Sequence, residues 1–458
     1  MNNILENALK KIQPSAKEID ELYALFARIK KYLLDKHGIK SQLMGSVAKN
    51  TFIKDNRDLD IFLFFDKSVS FDELEKKVLA IGKDAFVHFG GTYEVDYASH
   101  PYTKGHINGC EVEIVPCYKL KSIKEMISAV DRTPFHTKYI RKNLEVSQRK
   151  DVLLLKQFLK TIGCYGSDLK TRGFAGYLCE LLVIKYSTFE GVLKKFSGLE
   201  RNTLLCLQNQ RNNIKKFDAP LIFLDPVDKN RNVAASLSID ALLKAKYYSQ
   251  KYLEKPDGIY FEPGAFRKKT SSKKSLESLL KNRNFYCIYF KRPDLIEDIL
   301  FPQLERFKNS LEKYILSKGF ALNNSFFDCC EDKKACIIGF DFAVEELSYF
   351  VHKNGPDLFS HDDKTQGFLN KHKNVYFSNG HYACFEKRKI THAYDLLVSL
   401  KKKEVQKQIA IPKGIEKNLN REFVILNGKN LLDYVNKGKI SKNVVCRNIA
   451  GGKTITAN

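Results

Sequence analysis

Hydrophobic positions recur in two rhythms along this 458-residue chain. Near the start they fall three and four apart, at Ile19, Leu22, Leu25, Phe26, Ile29 and Leu33, which predicts an amphipathic helix. Ser15, with Glu18 three residues later, supplies a capping box at its start. Over Asp58–Phe65 (DLDIFLFF) the rhythm changes to two. Leu59, Ile61, Leu63 and Phe65 then face a core, while Asp58 and Asp60 share the opposite side of a strand. Gly109–Tyr118 repeats the pattern, with Val112 and Ile114 on one face and Glu111 and Glu113 on the other. A charged amphipathic stretch over Phe71–Leu79 and a strand near Phe86–Tyr97 lie between. The first part of the chain therefore reads as helices packed on a mixed sheet, ending near residue 148.

Beyond it, Asp131-Arg132-Thr133-Pro134-Phe135-His136 predicts a loop, and Leu153–Lys160 and Gly173–Tyr186 predict helices separated by Gly163-Cys164-Tyr165-Gly166. The helical region closes at Asp225–Ala234 (DPVDKNRNVA), before another helix. Then follow a strand at Asn284–Tyr289, a long helix at Ile299–Lys318 and a strand at Cys336–Phe342. Glu345–Lys353 fits strand or helix, and Val375–Arg388 fits a strand. This last segment interleaves Tyr376, Phe377, His381, Tyr382 and Phe385 with Lys387, Arg388 and Lys389, which suits either RNA contact or a core. No internal repeat is present.

Composition narrows the class. The chain is 43% hydrophobic and 12% aromatic, enough for real cores, and its length calls for two to four domains. Lys and Arg number 77 against 53 acids, a net +24, so a polyanionic partner is expected: nucleic acid first, a membrane surface second. No apolar run approaches a membrane span and the N-terminus lacks a signal-peptide layout, so a cytoplasmic protein without membrane attachment is expected. Eleven cysteines without a Cys-x-x-Cys pair read as reduced, buried thiols. The basic, Ser-rich stretch holding Arg267, Lys268, Lys269, Lys273 and Lys274 reads as a solvated loop or a phosphate-contacting one.

The candidate chemistry lies at Gly45–Phe65. Same-face neighbours on a strand stand about 6.5–7 Å apart at the backbone, so Asp58 and Asp60 can both lean onto a hard cation such as Mg²⁺. A turn at Gly45-Ser46 could hold phosphate with backbone N–H groups. Glu111 and Glu113 offer a third carboxylate, and alternation alone does not separate them. Taken singly, His136 is an exposed loop histidine and Lys156 a solvated helix charge. His361-Asp362 lacks the companion ligands of a metal phosphohydrolase.

A Gly-Ser turn, then Asp-x-Asp on a strand, then an acid on a later strand resembles the nucleotidyltransferase superfamily typified by DNA polymerase β. Across nearly the whole chain, GSVAKNTF, DLDIFLFF, HPYTKGHINGCEVEIVPCYKL, DRTPFHTKY, RGFAGYLCELLVIKY, DPVDKNRNVAASLS and RPDLIEDILFPQLERF follow in the order and spacing of the archaeal, class I, CCA-adding enzymes. The Arg-Arg-Asp and Glu-Asp-x-x-Arg stretches of class II are absent.

The resemblance implies an α+β multidomain protein. It would have a polymerase β-like mixed-sheet head at 1–148, a helical neck at 149–225, an α/β body at 226–295 plus 395–458, and an α/β tail at 296–394 that binds tRNA. It implies that Asp58, Asp60 and Glu113 hold two Mg²⁺ ions, and that Gly45, Ser46 and Lys49 meet the triphosphate of CTP or ATP. His136, Lys156 and Tyr165 would bind triphosphate and sugar, and Arg231 the edge of the base. Two positions depart from the family pattern: Lys49 where it commonly has Arg, and Glu113 where it usually has Asp. The implied partners are the 3′ end and elbow of tRNA, the nucleoside triphosphates and a second copy of the chain. A poly(A) polymerase, or an inactive RNA-binding protein on the same scaffold, are the rival readings.

Overall fold

The capping box at Ser15 and Glu18 starts a helix of six turns in the computed structural model, and Gly38 in the left-handed conformation ends it. The structure describes residues 2–449 apart from 55, 98–99, 201–202, 208–216, 267–272, 282, 296, 331–333, 358 and 422. Residues 1–266 form one compact unit and residues 267–458 another.

In the first unit, helices α1 (Asn2–Ile12) and α2 (Ala16–His37) precede strand β1 (Ser41–Leu43), the short helix α3 (Gly45–Lys49) and strand β2 (Asp58–Phe65). Helix α4 (Phe71–His88) and strands β3 (Thr92–Tyr97), β4 (Pro101–Ile107) and β5 (Cys110–Tyr118) follow. The five strands form one mixed sheet in the order β1-β2-β5-β4-β3, in which only β2 and β5 run parallel. Leu59, Ile61 and Leu63 are fully buried beneath α2 and α4, packed with Leu22, Ile29, Leu33 and Val78. The period-two and period-3.6 patterns thus meet on one sheet face, which leaves Asp58, Asp60, Glu111 and Glu113 to the other.

Helices α5 (Arg132–Asn143), α6 (Arg149–Thr161), α7 (Gly176–Tyr186), α8 (Phe189–Ser197) and α9 (Ile239–Glu254) complete the unit, with the short parallel pair β6 (Thr203–Leu205) and β7 (Leu221–Phe223) before α9. Residues of α6 to α9, together with Ala8 and Ile12 of α1, share one buried core.

Three local readings need correction. The strand expected from Phe86 begins at Thr92, because Val78, Ile81, Ala85 and Phe86 continue the helical rhythm of α4 until Gly90, at φ +65°, breaks it. The loop expected at 131–136 is the start of α5. Pro134 sits in its first turn, where no N–H is required, and the Asp131 carboxylate accepts from the backbone N–H groups of Ile127, Ser128 and Tyr118. The turn expected at Gly45-Ser46 opens the one-turn helix α3.

The second unit holds helix α10 (Lys273–Leu280), strand β8 (Asn284–Lys291), helix α11 (Glu297–Ser317) and strands β9 (Leu322–Cys330), β10 (Ala335–Phe342) and β11 (Phe350–Asp357). Helix α12 (Asp362–Lys371) and strands β12 (Tyr376–Ser378), β13 (His381–Lys387) and β14 (Val424–Asn427) follow. One antiparallel sheet runs β14-β8-β10-β9 and another β11-β13-β12. The strand expected at 375–388 is a hairpin, turned by Asn379 and Gly380 with φ of 47° and 79°. Phe377 and Phe385 are 80% and 61% exposed, so these aromatics of the hairpin do not form a core. The basic stretch at Arg267, Lys268 and Lys269 lies outside the described residues, and Lys273 and Lys274 begin α10.

Candidate functional site

The parallel register of β2 and β5 sets Asp58 beside Glu111 and Asp60 beside Glu113 on one face of the sheet. Neighbouring strands lie only about 4.8 Å apart, so these carboxylates are forced into mutual repulsion. Burial, followed by the charges of Glu113 and Asp58, pushes the Asp60 carboxyl up to about 7. Burial and Glu111 also raise Asp58, although Asn56 donates to it at 2.5 Å. Burial raises Glu113 against the pull of Lys104.

Lys104, on β4, pairs with Glu111 and lies 3.3 Å from Glu113. Burial works against its charge, but these two acids raise it above the ordinary lysine value. Among the described residues no three acids, histidines or cysteines already converge as a metal cage. The donor set nonetheless fits a hard divalent cation: a row of oxygen ligands, one of them raised by burial and by its acidic neighbours, which a cation would relieve.

Gly45 stands against this row. Its φ is +64°, and a Cβ there would lie 1.7 Å from Oδ2 of Asp60, so the close approach of α3 to the acids requires glycine. Met44 N–H donates to the Asp60 carbonyl at 2.8 Å and ties the two segments together. Ser46 follows in the first turn of α3, half-buried.

Lys49, at the end of α3, and Lys156, on α6, point into the interior. Both meet Glu180 of α7, whose side chain is fully buried. Lys49 Nζ lies 2.6 Å and Lys156 Nζ 3.7 Å from its carboxylate, and Thr51 donates to it at 2.5 Å. Lys156 also donates to the Thr51 carbonyl at 2.7 Å. Burial alone would raise the Glu180 carboxyl, and the two lysines reverse the sign and lower it. Lys156 is therefore not the solvated helix charge that its position alone suggests. Tyr165 lies over the same spot, since a Cβ on Gly176 would be 3.2 Å from its hydroxyl and 3.5 Å from Lys156 Nζ.

His136 and Arg231 meet at a second buried carboxylate, Asp225. His136 Nε2 is 2.8 Å and Arg231 Nη1 3.0 Å from its Oδ2, while Oδ1 accepts from Tyr177 OH at 3.2 Å and Val227 N–H at 2.9 Å. The His136 ring stacks on Tyr177 with centroids 4.1 Å apart. Burial opposes the Asp225 charge, yet His136, Val227 and Arg231 together bring its carboxyl down to about 2. A cleft of 530 Å³ opens between the ends of β2 and β5 and α5, lined by Met44, Phe64, Tyr118 and Phe135 and by the cations Lys121, Lys138, Arg141 and Lys142.

The structure thus gathers Gly45, Ser46, Asp58, Asp60 and Glu113 along one sheet face, Lys49, Lys156 and Tyr165 around Glu180, and His136 with Arg231 on Asp225. Lys104, Tyr177, Glu180 and Asp225 were missed by the sequence reading. Glu180 carried a signal, being the one acid within the apolar run of α7 (GYLCELLVIKY), a position that demands a buried counter-charge.

Comparison with known proteins covers most of the chain. A family model described as a nucleotidyltransferase domain matches residues 27–142, the span that holds the five-stranded sheet. Models described as tRNA nucleotidyltransferase, second domain, and CCA-adding enzyme, C-terminal domain, match 150–262 and 281–428. The chain is 36% identical over 444 residues to a protein of Methanocaldococcus jannaschii named CCA-adding enzyme, covering 93% of this chain and 96% of that one. Proteins of the same name from Methanothermobacter thermautotrophicus and Archaeoglobus fulgidus are 35% and 32% identical, over 95% and 94% of this chain and 95% and 96% of theirs.

Proposed function

Because the chain belongs to the CCA-adding enzyme family, we propose that it restores or completes the 3′ end of tRNA by adding C, C and A from CTP and ATP with release of pyrophosphate. It is a tRNA nucleotidyltransferase, and its substrates are tRNA and nucleoside triphosphates. The observation that carries the chemistry is the register of β2 and β5, which sets Asp60 beside Glu113 and leaves Gly45 packed against Asp60.

In this reading Asp58, Asp60 and Glu113 hold the divalent cation that the family requires, as two Mg²⁺ ions. When bound, the ions supply acidification of the RNA 3′-hydroxyl and neutralise charge on the α-phosphate and the departing pyrophosphate. The remaining work falls to the chain. Gly45 leaves room for the Asp60 carboxylate, and Ser46 offers a hydroxyl and an N–H at the edge of the phosphates. Lys49, oriented by Glu180, meets the triphosphate together with Tyr165, and Lys156, buried on Glu180 and Thr51, adds its charge from behind. His136 reaches the sugar and triphosphate side, and Arg231 presents guanidinium donors to the edge of cytosine or adenine. No covalent enzyme intermediate is needed, and in this reading addition is template-independent, so selection rests on the pocket and the RNA end.

Among the described residues no helix is long and apolar enough to cross a membrane. The cytoplasm, where tRNA is matured, is the proposed place of action. Incubation of the protein with tRNA lacking its 3′ end, Mg²⁺ and labelled CTP and ATP, followed by sequencing of the product, tests the reading. Addition of C, C and A and then arrest supports it. A long homopolymer would favour a poly(A) polymerase, and RNA binding without transfer an inactive RNA-binding protein.

A further inference from the structure

Asp225 is completely buried and both its oxygens are filled, so it cannot itself meet a nucleotide. What it holds can. His136 comes from α5 and Arg231 from the loop before α9, two segments also tied by Arg132 of α5 on the Asp228 carboxylate at 2.9 Å, and both bind the same oxygen of Asp225, Oδ2. The backbone reinforces the arrangement: Asp225 N–H donates to the Arg231 carbonyl at 3.1 Å, and Arg231 N–H to the Asp228 carbonyl at 2.9 Å. Arg231 is therefore fixed at its main chain and at one end of its guanidinium, while its side chain stays 35% exposed. A guanidinium carries five donors in a rigid plane, so anchoring one nitrogen orients the rest. Tyr177 completes the mount, stacking on His136 and donating to Oδ1.

From this geometry we infer that Asp225 is the positioning residue for nucleotide selection, coupling the sugar-side His136 to the base-side Arg231 through one carboxylate. The inference rests on the reading of Arg231 as the residue that meets the base. An unanchored arginine would still be cationic, but it would have to be ordered anew for each incoming base, and it could turn to offer its donors to the wrong one. A loss of anchoring is therefore expected to weaken nucleotide binding and discrimination, not the affinity for tRNA.

The test measures single-nucleotide addition by the full chain to tRNA lacking its 3′ end, with CTP, ATP, UTP and GTP in separate reactions. In Asp225→Asn the charge is lost and one position becomes an NH2, so whichever way the amide turns, either His136 and Arg231 or Tyr177 and Val227 lose their acceptor. KM for CTP and ATP is expected to rise roughly ten- to a hundredfold, the scale of one or two charge-assisted hydrogen bonds. KM for tRNA should stay constant, and UTP and GTP should gain relative to CTP and ATP. Asp225→Glu keeps the buried charge, and with it the fold, but shifts the carboxylate by one methylene. It is expected to remain folded, with the melting temperature lowered by the extra methylene, and still lose discrimination. Wild-type discrimination in a folded Asp225→Glu overturns the inference, as does an equal loss with all four nucleotides and with tRNA. Arg231→Ala separates the two levels. If it leaves discrimination untouched, the base-side reading of Arg231 fails; if it disturbs discrimination while the Asp225 variants do not, only the inference about Asp225 fails.

Discussion

The Lys49 ammonium lies 2.6 Å from a carboxylate oxygen of Glu180, and Glu180 has no solvent exposure at all. Lys156, at 3.7 Å, shares the same carboxylate, so two cations of the proposed triphosphate site depend on one buried acid. Glu180→Gln keeps the shape and removes the charge. Breaking a buried ion pair by removing one partner costs about 3–5 kcal/mol, and a loss of that order is expected in chemical denaturation. Lys49 and Lys156 then lose their common anchor, and KM for CTP and ATP should rise by about tenfold or more. Unchanged stability together with unchanged KM would show that the lysines do not rely on Glu180.

Gly45 makes a sharper demand on the chain. Its left-handed backbone costs a side chain about 1–2 kcal/mol, and a Cβ would drive into Asp60 at 1.7 Å. Gly45→Ala is therefore expected to displace Asp60 and to lower single-turnover transfer by about a hundredfold, the penalty typical of a misplaced reacting group. tRNA binding, measured by filter retention, should be unaffected. Wild-type rates in this variant would mean that Asp60 moves freely without consequence.

The Asp60 carboxyl, raised to about 7, ties the metal to pH. The unfolded chain loses this proton near 4, so between about 4 and 7 the folded protein holds a proton that the unfolded chain lacks. Stability of the metal-free protein is thus expected to fall as pH rises through that window and to level off above it. Asp58 and Glu113, also raised, push the same way. Mg²⁺ must displace the proton, so its apparent affinity should strengthen as pH rises to about 7 and change little beyond. Denaturation midpoints with EDTA and with Mg²⁺, from about pH 5 to about pH 8, check both signs. A metal-free protein that grows more stable over this range would contradict the electrostatics of the acid row.

Alternation along β2 and β5 was enough to place four acids on one face, because period two is a property of a single strand. The partners across the strands were not legible. Asp60 sits beside Glu113 through a parallel register that depends on β1, β3 and β4 closing the sheet in the order 1-2-5-4-3. His136 was hidden for a related reason. DRTPFH looks like a loop until the backbone N–H of Tyr118, 13 residues away, is found on Asp131, a tertiary contact that no local pattern announces. Glu180 was legible and passed over, whereas Asp225 acquires its meaning only when α5 brings His136 against it.

The net charge of +24 has a local expression in the cleft lined by Lys121, Lys138, Arg141 and Lys142. If RNA phosphates occupy it, Lys138→Glu and Arg141→Glu should each weaken tRNA binding across sequences and lower the slope of log affinity against log salt by about one. Affinity of the wild type should itself fall steeply between low and moderate salt. A flat salt response, or unaltered slopes in both variants, would move the RNA path elsewhere.

The last expectation concerns which acid of β5 takes part in transfer. Glu111 and Glu113 share a face, and Lys104 touches both. Register separates them: Glu113 stands beside Asp60, the acid packed under Gly45, whereas Glu111 stands beside Asp58 at the start of both strands. Glu113→Ala is expected to abolish nearly all transfer while the fold and tRNA binding persist, and Glu111→Ala to be mild. Glu113→Asp shortens the arm by one methylene in a site built around Glu, so rate should fall without disappearing. Lys104 adds a control that the acids alone cannot give. In the metal-free protein its ammonium supplies the positive charge that a cation would bring to Glu113, so protein and metal compete for one carboxylate. Lys104→Met removes the competitor, and half-maximal activity should then need less Mg²⁺. Glu111→Ala leaves Lys104 to Glu113 alone and should need more. Single-turnover rates of these variants across Mg²⁺ concentrations decide the assignment. An active Glu113→Ala beside a dead Glu111→Ala would transfer the role to the other carboxylate.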